Sequence, residues 1–96
     1  MTPTQQAGQL LMAAMNPGPV TSLDAPITEQ GLGSMLYLGG WQGSQTVAAA
    51  SEHLQQVAPT IEGTKVGMLV AADQEGGEVQ QLTGAGFSPM PSGLEQ

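Results

Sequence analysis

SMLYLGGWQGSQTVAAASEHLQQVAPTIEGTKVGMLVAA, residues 34–72, is the stretch whose reading decides the fold class. Met35-Leu36-Tyr37-Leu38 is a continuous apolar run between glycines, which predicts a strand over residues 34–38 covered on both faces. Gly39, Gly40 and Gly43 form the loop that follows. Residues 44–58 read as a helix, with Ser44 as its cap and Val47, Ala50, Leu54, Val57 and Ala58 along one face. Gln45, Glu52, Gln55 and Gln56 fall elsewhere, and Pro59 closes the helix. A second buried-type strand is expected over residues 66–72, centred on Met68-Leu69-Val70. Strand, helix, strand at this length is a βαβ crossover with two parallel strands, and the class is α/β.

Upstream, residues 3–15 read as a helix. Pro3 suits a first helical position after Thr2 as cap. Ala7, Leu11 and Met15 recur every four residues, widened by Leu10 and Ala14, until Asn16-Pro17-Gly18-Pro19 stops the pattern. A short helical turn is expected across residues 22–30, with Pro26 near its start.

Composition narrows the function classes. The chain has 96 residues, 40% of them hydrophobic, with Trp41, Tyr37 and Phe87 as its aromatics, so Leu, Val, Met and Ala must build the core. Net charge is −7 and Lys65 is the sole basic side chain, which argues against nucleic-acid binding because phosphates are neutralised by Lys and Arg. The same balance argues against adhesion to an anionic membrane. Leu10 to Met15 is too short to span a bilayer and lacks a preceding cationic segment, so no signal peptide is read and the compartment stays open. There is no cysteine, so thiolate chemistry is out. His53 has neither an HExxH motif nor a carboxylate cluster around it, so no metal or other cofactor is implied. With charged residues at only 9%, solubility rests on Gln, Ser and Thr.

Chemistry is expected in the loop of residues 73–92. Ligands of parallel α/β folds bind at the carboxyl ends of strands, and Asp73 is the first polar residue past an apolar strand. An ionised carboxylate accepts hydrogen bonds from sugar hydroxyls; alternatively it caps its own loop through backbone N–H groups. Glu75 lies two residues on, but nothing in the sequence holds the pair across a scissile bond, and loop anchoring is the preferred reading. Gly76-Gly77 allows a sharp turn and is not a phosphate loop. His53 is expected to face solvent. Trp41 can stack on a sugar ring or pin its loop onto neighbouring structure, and packing is preferred.

The run Asp73-Gln74-Glu75-Gly76-Gly77-x-Val79-Gln80-x-Leu82, followed by Gly86-Phe87-Ser88-x-x-Pro91-Ser92, resembles the N-terminal domain of glycoside hydrolase family 3, above all its β-N-acetylglucosaminidase branch. Gly8-Gln9-Leu10-Leu11-Met12 is similar to that family's opening helix, and Gly31-Leu32-Gly33-Ser34-Met35-Leu36-Tyr37 to its first strand. The resemblance implies a (β/α)8 TIM barrel, typically about 250 residues, of which this chain supplies the leading helix and the first two strands. It implies a parent enzyme that hydrolyses terminal β-linked sugars with retention through a covalent intermediate on an aspartate. It also implies that Asp73 hydrogen-bonds the sugar, while the nucleophile and the histidine acid/base lie beyond Gln96. Neither Glu75 nor His53 matches those positions, so the chain alone is expected to be inactive. The sequence departs from the branch where arginine is common, at Glu78 and Gln81. Gln81, the second candidate for holding the sugar, can donate a hydrogen bond but offers no cationic fork. The expected partner is thus a carbohydrate substrate, with self-association or a completing chain covering the unfinished sheet.

Overall fold

The computed structural model describes residues 1–96. Its elements in chain order are α1 (Pro3–Gln9), β1 (Met12–Met15), α2 (Asp24–Gln30), β2 (Ser34–Tyr37), β3 (Trp41–Gln42), α3 (Ser44–Val57), β4 (Thr60–Ile61), β5 (Thr64–Lys65), β6 (Leu69–Ala72), β7 (Gln74–Gly76), β8 (Val79–Gln80) and β9 (Leu82–Thr83).

The centre is a three-stranded parallel sheet in the order β1-β2-β6. Met12, Ser34 and Leu69 share one register level, and Met15, Tyr37 and Ala72 share the last. β2, α3 and β6 make the crossover expected from residues 34–72, with two adjustments. α3 is capped by Gly43 without a side-chain bond, and Ser44 is its first helical residue rather than its cap. β6 begins at Leu69, not at residue 66, because the Val66 N–H donates to the Pro59 carbonyl and the Met68 backbone is held by the Gln55 side chain.

The larger correction is upstream. The helix expected over residues 3–15 ends at Gln9, and residues 12–15 form β1, so the sheet has three parallel strands where two were expected. Thr2 and Gln5 form a reciprocal capping box at the start of α1. Its end is set by close contact: Gly8 lies so near the Gln30 and Gly31 carbonyls that a Cβ would collide with both. The carboxamide of Gln9 donates to the Gly31 carbonyl at 2.8 Å. Leu10 is 87% and Leu11 60% exposed, so the apolar stripe read across residues 7–15 is not buried as a helix face; of it Met15 reaches the core, from β1.

Strands alternate faces. Met15, Met35 and Tyr37 turn toward α2 and α3 and join Ile27, Trp41, Ala50 and Leu54 in one core. Tyr37 and Trp41 meet edge to face, with ring centroids 4.8 Å apart. The opposite sheet face is largely open: Met12 is 49% and Leu69 is 69% exposed, with Ser34 buried between them. No helix is long and apolar enough to cross a membrane.

Glutamines fasten the loops. The Gln55 carboxamide makes two 2.9 Å bonds with the N–H and carbonyl of Met68, and Gln74 does the same with Leu82 at 3.0 and 2.8 Å. Gln80 joins the Ser88 carbonyl to the Met90 N–H.

Candidate functional site

The carboxyl ends of all three parallel strands lie along one edge of the sheet. β1 runs into Asn16-Pro17, β2 into Leu38-Gly39-Gly40, and β6 into Asp73. The segment from residue 73 to 92, read as a loop, carries three short strands. β7 and β8 form an irregular antiparallel hairpin around Gly76-Gly77, both at positive φ, and β9 pairs in parallel with β3. Gly76 also needs its lack of a side chain, because a Cβ there would strike the Pro91 carbonyl.

Asp73 is exposed at the strand end, with its backbone carbonyl accepting from the Gln81 N–H at 3.1 Å. No side-chain-to-loop cap forms at Asp73; the loop is held by Gln74 and Gln81 instead. Gln81 is half-buried and turned to its neighbours. Its carbonyl accepts from the Trp41 N–H at 2.7 Å, and its Oε1 accepts from the Gly40 N–H at 3.2 Å. Gln81 therefore ties the end of β2 to the residue that follows β6, and its amide NH2 is left for another partner.

Trp41 is 2% exposed. Its indole N–H lies 2.9 Å from the Met15 carbonyl and 3.1 Å from that of Leu38, bridging the ends of β1 and β2. The packing reading holds, and stacking on a sugar does not fit so buried a ring. His53 departs from expectation. It is partly covered, and its Nε2 lies 2.8 Å from Asp24 Oδ1, linking α3 to α2. Glu75 and Glu78 are exposed on the hairpin. No three His, Cys, Asp or Glu side chains gather as a metal site.

Three open clefts lie among the hairpin, the C-terminal loops and the start of α3. One of about 370 Å³ lies between Gly77-Glu78 and Phe87, another of about 530 Å³ between Glu75 and Leu94, and a third of about 410 Å³ at the start of α3. None of the three includes Asp73 or Gln81 in its lining.

Asn16 is the residue the sequence reading passed over. It is exposed and follows β1 as Asp73 follows β6. The rule that selected Asp73, the first polar residue past an apolar strand, selects Asn16 as soon as residues 12–15 are known to be a strand.

No protein-family model matches the chain, and no curated protein gives a significant match. Among solved structures, the crystal structure of a β-N-acetylhexosaminidase from Beutenbergia cavernae DSM 12333 superposes with a TM-score of 0.84 at 32% identity. The match covers 99% of this chain and 29% of that one, so this chain spans under a third of the neighbour's length. The likeness to a stretch of a β-N-acetylhexosaminidase supports a glycoside-hydrolase-like relationship for this chain.

Proposed function

We propose that this chain is the N-terminal segment of a family 3 glycoside hydrolase barrel whose parent enzyme removes terminal β-linked sugars, N-acetylglucosaminides in particular, with retention. The observation that carries this reading is the superposition along 99% of the chain on a β-N-acetylhexosaminidase, joined to three parallel strands that neighbour one another in chain order as barrel strands do. Asp73 is the residue assigned to the sugar. Its exposed carboxylate at a strand end accepts from hydroxyl groups in charge-assisted bonds, and Gln81 supports it by fixing the adjoining backbone. Neither Glu75 nor His53 is given a catalytic role, since one sits on the exposed hairpin and the other is engaged with Asp24.

The test is titration of the chain with N-acetylglucosamine, followed by amide NMR shifts, in the wild type and in Asp73→Asn. The asparagine keeps the shape and loses the charge-assisted acceptor, so binding weakens while the rest of the spectrum is unchanged. Equal affinity in the two proteins removes Asp73 from the site. Hydrolysis of a chromogenic N-acetylglucosaminide by the chain alone would contradict the assignment of the catalytic groups to other parts of the barrel.

A second reading, a non-catalytic module completed by a partner chain, is favoured by one observation, the largely open sheet face with Leu69 69% exposed. Sedimentation as a folded monomer removes it.

A further inference from the structure

Resting on the carbohydrate reading above, we infer that Asn16 is a second sugar-binding residue, facing Asp73 across the end of β2.

The argument begins with register. Met15, Tyr37 and Ala72 stand at one level of the sheet with β2 in the middle. The next residues, Asn16, Leu38 and Asp73, form a polar–apolar–polar row immediately above them. Pairing continues into this row on the β1 side, where the Leu38 N–H donates to the Met15 carbonyl at 3.1 Å, while the register of β2 with β6 ends at Tyr37 and Ala72. Adjacent strands lie about 4.8 Å apart, so the two outer positions are separated by roughly 10 Å. Met15 and Tyr37 turn to the helices, so the pleat directs the following row toward the largely open face.

The middle of the row is shaped to leave space. Leu38 is half-buried and gives an apolar floor. Gly39 and Gly40 follow at positive φ and add no side chains above it, and a Cβ on Gly40 would meet nothing within 4 Å. Asn16 borders this turn from the β1 side together with Pro17: a Cβ on Gly39 would come within 2.7 Å of Asn16 Oδ1 and 2.8 Å of Pro17 Cδ. Gln81 Oε1 and the Trp41 indole hold the turn in place. A pyranose seated on Leu38 would thus meet a carboxylate on one side and a carboxamide on the other. The carboxylate only accepts hydrogen bonds, whereas the carboxamide both donates and accepts. Asn16 is therefore suited to a substituent that itself carries both functions, such as a hydroxyl or an acetamido group.

The experiment is N-acetylglucosamine titration of the 96-residue chain by amide NMR in wild type, Asn16→Ala, Asn16→Asp and Asp73→Asn. Asn16→Ala is expected to weaken binding about three- to tenfold, the usual worth of one or two neutral hydrogen bonds. Asn16→Asp keeps the shape but loses the donor, and a loss there as well supports the contact even if the alanine variant misfolds. Binding weakened by Asp73→Asn and unchanged by both Asn16 variants overturns this inference and leaves the carbohydrate reading standing. No shift in the wild type overturns both.

Discussion

Leu54 and Leu69 are the same residue type in opposite situations, and truncating each to alanine tests whether the sheet is largely open on one side. Leu54 is 0% exposed on the inner face of α3, whereas Leu69 is 69% exposed on β6. Truncating a buried leucine costs roughly 2–5 kcal/mol through lost transfer energy and the cavity left behind. Fully burying a leucine is worth about 1.5–3 kcal/mol, so the third or so of Leu69 that is covered should lose only about 0.5–1 kcal/mol. Urea unfolding followed by Trp41 emission measures both, since the one tryptophan sits in the core beside Tyr37. The expected result is a Leu54→Ala midpoint far below wild type and a Leu69→Ala midpoint close to it. Equal losses would refute the one-sided sheet and mean that the face is covered in solution. If the Leu69→Ala penalty grows with chain concentration, the cover is a second copy, because association stabilises only the folded form.

Two other expectations concern backbone and pH. Gly63→Ala and Gly76→Ala both place a side chain at φ near 80°, at a cost of about 1–2 kcal/mol. Only Gly76 also faces a carbonyl that the new Cβ would strike, so its urea midpoint should fall clearly further; equal midpoints would show that the Pro91 segment yields freely. Burial pushes the Tyr37 phenol above its ordinary 10.0, opposed in part by the hydrogen bond with Ser51. The unfolded chain then releases this proton first, so the stabilisation is complete below pH 10.0 and is lost as pH climbs through the raised value. Phenolate absorbance should appear together with unfolding, and a native-like spectrum retained after full ionisation would contradict the buried hydroxyl.

The crossover over residues 34–72 was legible because glycines and Pro59 punctuate it and each segment has one workable period. Leu10 to Met15 was not, since a six-residue apolar run satisfies helix and strand alike. What decides it is pairing with β2, a contact twenty-two residues away in sequence at Met12 and Ser34. That single misreading hid Asn16, whose candidacy depends on where a strand ends. The position of Asp73 at a strand end was legible by the same rule because the end of its strand, at Ala72, was read correctly. His53 looked free because its helix shows no reason to cover it; the cover comes from Asp24 on α2. Gln81 as a tie between strand ends was equally hidden, since a glutamine in a loop carries no sign of which backbone it will meet.

The fastening of Gln55 on Met68, Gln74 on Leu82 and Gln80 across Ser88 and Met90 has a bearing on the conditions the molecule tolerates. A carboxamide laid against a peptide group imitates one rung of a ladder without carrying charge. Such rungs do not protonate in acid, and added electrolyte leaves their attraction nearly untouched. The strand-end architecture should therefore keep its shape in brine or vinegar-like acidity long after the ion pair between Met1 and Glu62 has let go.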